Sequence, residues 1–263
     1  MSRSRTRHPA VRRGSHIRHN RAVWDHDSAS YDRHYARTLG GRRARSWGLF
    51  RLPEDDLRLL GPTRGRAILE VGCGAARWSI ALAQRGARPT GIDLSSAQLS
   101  RARILQRGAG VRFPLVRGSA ERLPFRSATF DIAFCDWGAM TFTDPARSVP
   151  ECARVLRTKG TFVFATASPF RNVTLDLAKD RQVPRLVRPY FGDYRVVYGD
   201  TAAVEFHPPF GVWVDLFRKN GLAIERLLEP RPTRGQRSRY LHASDADYAR
   251  SWPLETIWKL VKE

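Results

Sequence analysis

Two short stretches carry residue types that can hold a nucleoside. In the first, the apolar run Ala67-Ile68-Leu69-Glu70-Val71 ends in Gly72-Cys73-Gly74. In the second, one strand-turn-helix unit later, Gly91-Ile92 runs into a lone carboxylate, Asp93. The glycines let backbone approach a ligand closely, and the carboxylate accepts hydrogen bonds from two ribose hydroxyls. That order is how a doubly wound α/β domain holds an adenosine. The chain continues Ala75-Ala76, with no glycine where a pyrophosphate would demand one, so an adenosine ligand without pyrophosphate fits better. Alone, each stretch also reads as a tight turn or a helix cap. It is their register that points to a ligand.

The elements that must position these residues alternate from residue 66 onward. Strands are expected at Ala67–Val71, Pro89–Leu94, Val111–Val116, Phe130–Cys135 and Thr161–Ala165, with helices between them. The first intervening helix starts near Ala76, and the second runs from a Ser95-Ser96 cap to about Arg107. For the helix before the fifth strand there are two starts, Asp144-Pro145 or a capping box of Ser148 with Glu151. The second is preferred, giving a regular helix from Val149. This βαβ series implies a largely parallel sheet with right-handed crossovers. Residues 168–210 break the rhythm with five prolines and the pair Tyr190-Phe191, and read as a substrate-covering insertion. A helix over 212–220 and strands at 222–228 and 254–262 complete the body.

Five segments in register now carry a resemblance. Leu69-Glu70-Val71-Gly72-Cys73-Gly74, Gly91-Ile92-Asp93-Leu94-Ser95 and Gly118-Ser119-Ala120-Glu121-Arg122-Leu123-Pro124-Phe125 come in order, followed by Phe130-Asp131 and the run Glu151–Gly160. The chain resembles the class I S-adenosylmethionine-dependent methyltransferases, in the branch of small-molecule and ubiquinone/menaquinone-type enzymes. The resemblance covers residues 65–167 strongly and implies a doubly wound, Rossmann-like, mostly parallel seven-stranded sheet. It adds N-terminal helices over 22–60 and an insertion after the fifth strand.

The resemblance also assigns roles. Gly72, Cys73 and Gly74 would pack against the methionine portion of S-adenosylmethionine, and Glu70 would sit near its ammonium. Asp93 would take the ribose hydroxyls, Leu94 would cover an adenine face, and Ser119 and Ala120 would face the adenine edge. Cys135, Asp136 and Trp137 would floor the space between cofactor and acceptor, and Tyr31 resembles an aromatic that closes over the cofactor. Two departures stand out. Ala76 occupies the place of the motif's third glycine, a change that a helix start tolerates, and Ser119 replaces an aspartate, a weaker acceptor for the exocyclic amine.

Methyl transfer needs a base only when the acceptor must lose a proton. His207, in Glu205-Phe206-His207-Pro208-Pro209, is the candidate catalytic residue, with His34 and Asp136 as further candidates. Asp136-Trp137-Gly138-Ala139 stands where an Asn-Pro-Pro-Tyr-type tetrapeptide would mark amino-group methylation, so transfer to oxygen or carbon of a small molecule is expected.

Bulk composition bounds the rest. The chain has 263 residues, 42% of them hydrophobic, and no run of 18 apolar residues that would span a membrane. Three widely spaced cysteines make neither a disulfide framework nor a metal motif, so a cytoplasmic location is expected. The net charge is +21, and lysine occurs only at 159, 179, 219, 259 and 262, so arginine supplies nearly all of it. Residues 1–21 hold seven arginines and no acid, and read as a disordered tail. This charge keeps open an RNA methyltransferase using the tail and the basic loop at 230–240. A methyltransferase-like binder or non-methylating catalyst is the other alternative.

Overall fold

The computed structural model describes residues 16–35, 45–179, 181–197, 203–236, 238, 241 and 243–263. The expected tail over 1–15 lies outside them. Residues 16–21, expected in that tail, instead open a helix, α1 (His16–Tyr35).

Seven strands form the central sheet: β1 (Ala67–Val71), β2 (Arg88–Asp93), β3 (Leu115–Arg117), β4 (Phe130–Asp136), β5 (Leu156–Ala167), β6 (Leu222–Leu228) and β7 (Glu255–Lys262). Their order is β6-β7-β5-β4-β1-β2-β3. All neighbours from β3 to β5 pair parallel, and β7 runs antiparallel between β5 and β6. The seven-stranded, mostly parallel expectation therefore holds. The order reverses at β1, which has β2 on one side and β4 on the other. A crevice must open there, outside the carboxyl ends of these strands.

Side-chain alternation divides the core into two layers. Leu69, Val71, Ala133, Cys135, Phe162 and Phe164 point to one side. There they meet α4 (Pro145–Val155) and α5 (Phe210–Lys219) through Val149, Cys152, Trp213 and Phe217. Ile68, Ile132, Phe134 and Val163 point to the other side, against Trp78 and Leu82 of α2 (Arg77–Ala83) and against Trp47. The helix α3 (Ser96–Gly108) is capped by Ser95, whose side chain accepts from the Gln98 amide, as its sequence indicated.

Two local expectations are corrected. The helix α4 starts at Pro145, not Val149, because Asp144 supplies the cap by accepting from the Ala146 amide at 3.0 Å. The capping box does not form: the Ser148 hydroxyl donates to the Asp144 carbonyl, and Glu151 is engaged by Arg154 and the Leu123 amide. Pro150 then lies within the helix, where it gives up one backbone hydrogen bond. In addition, β5 is 12 residues long, well beyond Thr161–Ala165, because both β4 and β7 pair along it.

No described helix is long and apolar enough to cross a membrane. The helix α1 instead lies across the crevice, and buried polar anchors hold it there. Asn20 donates to the carbonyls of Phe142 (2.9 Å) and Val204 (3.0 Å) and accepts from the Val204 amide at 2.7 Å. Asp25 accepts from the Ser95 hydroxyl and the Ala97 amide at the start of α3. An Asn20→Ala variant leaves the buried Val204 amide without a partner. Its expected cost is about 1–3 kcal/mol, read by denaturant unfolding, with earlier proteolytic cleavage within α1.

Candidate functional site

The glycine turn is built by crowding. At Gly72 the backbone is left-handed (φ +71°), and a β-carbon there would lie 2.3 Å from the Ala139 amide nitrogen. Only glycine lets the end of β1 press against the segment after β4. The amides of Gly72 and Cys73 both donate to the Ile92 carbonyl, and the Gly74 amide donates to Asp93 Oδ2 at 2.7 Å. Asp93 Oδ1 accepts from Ser95. The turn and the carboxylate thus form one hydrogen-bonded unit. Gly91 belongs to it as well, since a β-carbon there would meet Cys73 Sγ at 2.8 Å.

Beside this unit is a cavity of about 350 Å³. Its wall includes Glu70, Gly72, Cys73, Gly74, Asp93, Leu94, Ser119, Ala120, Asp136 and Trp137 from among the residues singled out in the sequence. Four residues singled out in the sequence stand elsewhere or outside the description. Cys135 is buried in the opposite layer, accepting from the Met140 amide, because neighbouring strand residues point to opposite faces and Asp136 takes the cavity side. His207 is 1% exposed and does not line the cavity. Tyr31 lies on α1, and its side chain, like that of His34, falls outside the described residues.

Ala76 corrects a further expectation. It caps α2 in the left-handed region (φ +54°) and is fully buried. The missing glycine is therefore not neutral: an L-residue there costs about 1–2 kcal/mol. Glu70 compensates for the cap that Ala76 cannot make, accepting from both the amide and the hydroxyl of Ser79.

Several wall residues were not singled out as site residues in the sequence. Asn20 and Trp24 of α1 close one side, with Trp24 edge-on to Phe142 at 5.1 Å. Arg171, from the short helical turn Pro169–Val173, lies 5.4 Å over the Trp137 ring. Glu205, on the short strand Val204–Phe206, also faces in. Its Oε2 is 2.7 Å from Nε2 of His207, which stands behind it. The alternation Val204-Glu205-Phe206 was a signal available in the sequence: buried neighbours on both sides place Glu205 on the opposite face.

A hairpin, Ser46–Trp47 with Leu52–Pro53, completes the wall and is gripped by two acids, the half-buried Asp136 and the buried Glu255. The Gly48 amide donates to Asp136 (2.7 Å) and the Leu49 amide to Glu255 (2.7 Å), which also accepts from the Trp137 indole (2.6 Å). Burial dominates their titration. It raises Glu70 to about 8, against the two bonds from Ser79. It raises Glu255 to about 8, against Trp137 and Leu49, with nearby Asp136 adding to the rise. It raises Asp136 to about 6, against the Gly48 amide and the Arg51 charge. Asp93 is raised by burial too, its amide partners notwithstanding.

Comparison with known proteins agrees with this geometry. Residues 69–164 match the family model described as Methyltransferase domain. The ubiquinone biosynthesis O-methyltransferase of Paracidovorax citrulli is 37% identical over 112 residues, which are 41% of this chain and 46% of that protein. The chain thus spans about half the length of the curated relatives it matches. An S-adenosylmethionine-dependent methyltransferase from Mesorhizobium loti superposes with a TM-score of 0.66 at 24% identity, over 79% of this chain and 96% of that one. Geranyl diphosphate C-methyltransferase from Streptomyces coelicolor, solved with S-adenosyl-L-homocysteine, gives 0.60 at 14% identity, over 80% and 74%. The fold is shared with both.

The raised acids set a pH dependence. Between pH 4.5 and about 8 the folded chain keeps a proton on Glu255 that the unfolded chain gives up, so raising the pH through that window favours unfolding. Glu255→Gln imitates the protonated acid. The expected result is a smaller fall in melting temperature from pH 5 to pH 8 than the unaltered chain shows, measured by calorimetric scans at each pH.

Proposed function

We propose that this chain, whose residues 69–164 match the family model described as Methyltransferase domain, is a class I enzyme that transfers a methyl group from S-adenosylmethionine to oxygen or carbon of a small molecule. The observation that carries the reading is the cavity at the β1 switch point, where the Gly72–Gly74 turn and Asp93 share one wall. The residues present fit the cofactor. Gly72 leaves room for backbone contact, Asp93 offers two carboxylate oxygens to a ribose, and Ser119 and Ala120 lie beyond it for the adenine. Glu70 faces the same cavity and suits an ammonium. When bound, the cofactor supplies a methyl group made electrophilic by its positively charged sulfur.

The chain's task is alignment and exclusion of water. The acceptor takes the remainder of the cavity, under α1, the Ser46–Pro53 hairpin and the start of the 168–210 insertion. Trp24, Phe142 and Trp137 give it apolar aromatic walls, and Arg51 and Arg171 give it positive charge, which suits an aromatic or lipid-like acceptor bearing an acidic group. Glu205 takes over the role the sequence reading gave to His207. It faces the acceptor space, where its carboxylate can receive a hydroxyl proton, and its Oε2 lies 2.7 Å from Nε2 of His207. Burial lowers the His207 pKa, with Arg171 and Arg188 adding to that and Glu205 opposing it, so a neutral imidazole donating through Nε2 fits the pair. Three unpaired buried cysteines suit the cytoplasm.

Two measurements test the reading. Asp93→Ala should weaken S-adenosylmethionine binding at least about tenfold, matching about 1.5–3 kcal/mol for hydrogen bonds to a charged group. Calorimetry that finds wild-type affinity in this variant removes Asp93 from the site. Glu205→Gln should leave cofactor affinity alone and lower kcat on hydroxylated aromatic acceptors by about 100-fold, followed as S-adenosylhomocysteine release. An unchanged kcat returns Glu205 to a purely packing role.

A further inference from the structure

Beyond the reaction, one surface of the chain has the composition of a lipid contact. Large apolar side chains stand in solvent along 177–191: Phe191 is 80% exposed, Leu186 73% and Leu177 49%, with Val187 and Tyr190 also out. Four of these five fall within six residues, which is an unusual density for the surface of a soluble domain. The same stretch carries Arg181, Arg185 and Arg188 against the single acid Asp180, while Lys179 pairs with Asp176 at 3.2 Å. Arg181 and Arg185 are exposed beside the apolar tips.

The backbone holds these side chains outward. The amides of Val187 and Arg188 both donate to the Val173 carbonyl, and the Tyr190 hydroxyl accepts from the Phe210 amide at 3.2 Å. Pro184 and Pro189 bracket the exposed tip and limit its ways of folding back. Tyr190 and Phe191 stand edge to face at 5.0 Å. Aromatic and aliphatic tips flanked by arginines match the boundary between headgroups and acyl chains, and the arginines match an anionic leaflet.

We propose that this loop docks the protein on a bilayer surface rich in anionic phospholipid. The loop hangs from Val173, the last residue of the turn that carries Arg171 into the cavity wall. The docking itself does not depend on methyl transfer and is measured without it.

The test is co-sedimentation of the full chain with vesicles of phosphatidylcholine alone, or of phosphatidylcholine mixed with phosphatidylglycerol. The expected result is at least about tenfold stronger binding to the mixed vesicles. The double exchange Leu186→Ser with Phe191→Ser should abolish most of it with the chain's charge intact. Should the double variant melt early, Phe191→Ser alone serves, at the most exposed of these side chains. Ile104→Ser, on the outer face of α3 at 50% exposure, should change nothing. Failure of the unaltered chain to bind the mixed vesicles overturns the proposal. So does binding that survives loss of Leu186 and Phe191, because that is adsorption by net charge, or an equal loss in Ile104→Ser.

Discussion

The close crossing at Gly72 is the constraint on which the rest of the site depends. There the chain leaving β1 passes the chain leaving β4 so tightly that a β-carbon would penetrate the Ala139 backbone. Because the turn is left-handed, its next amides swing toward β2: two reach the Ile92 carbonyl, and the third reaches Asp93. One conformational allowance at one glycine thus fixes the relative placement of three strand ends. The cavity follows from it, as does the choice of residues around it. Gly91 must be small because Cys73 lies across it, and Ala76 must take a strained conformation to start α2 in the right direction.

A chain with net charge +21 buries several carboxylates beside one cavity. Ion pairing does not govern them. Asp131, at the other end of the sheet, shows the contrast: the Ala67 amide, Arg157 and Arg66 outweigh its slight burial and lower its pKa. Glu70, Asp93, Asp136 and Glu255 receive mainly amide, hydroxyl and indole donors, and burial still wins. Their work is directional. Each orders a piece of chain that has no partner in the sheet, whether the first turn of α2, the glycine turn or the 45–53 hairpin. Burial disfavours the charged forms of Glu70 and Glu255, so this part of the chain is less negative than its formula.

The legible part of the molecule was the part set by local rules. The apolar run before Gly72, the single acid closing β2 and the Ser95 cap each depend on neighbours within a few residues, and all three stand where turn chemistry and periodicity put them. The errors have equally specific causes. Cys135 was placed on the cavity floor together with Asp136, although adjacent strand residues cannot share a face. His207 was chosen for its chemistry, when the residue two positions earlier faces the cavity. The start of α4 was misjudged because the capping-box pattern of Ser148 with Glu151 was preferred to the Asp144-Pro145 signal. Asn20, Arg171 and Glu255 had no readable sign, since what defines them is contact with chain segments up to 206 residues away.

That last group explains how the cover over the cavity differs from the sheet beneath it. The sheet is held by continuous apolar layers, Phe162, Phe164, Trp213 and Trp258 on one side, Trp47, Trp78 and Phe134 on the other. The helix α1 over it is pinned by discrete polar contacts: Asn20 to Val204, His16 to Glu121 at 2.6 Å, Asp25 to Ser95. Apolar packing tolerates small shifts, whereas a buried hydrogen bond is either made or lost at a cost of about 1–3 kcal/mol. A cover built from such bonds has defined closed positions and opens by breaking few contacts, while the core stays intact. An acceptor can therefore enter and leave past α1 without disturbing the Gly72–Asp93 unit.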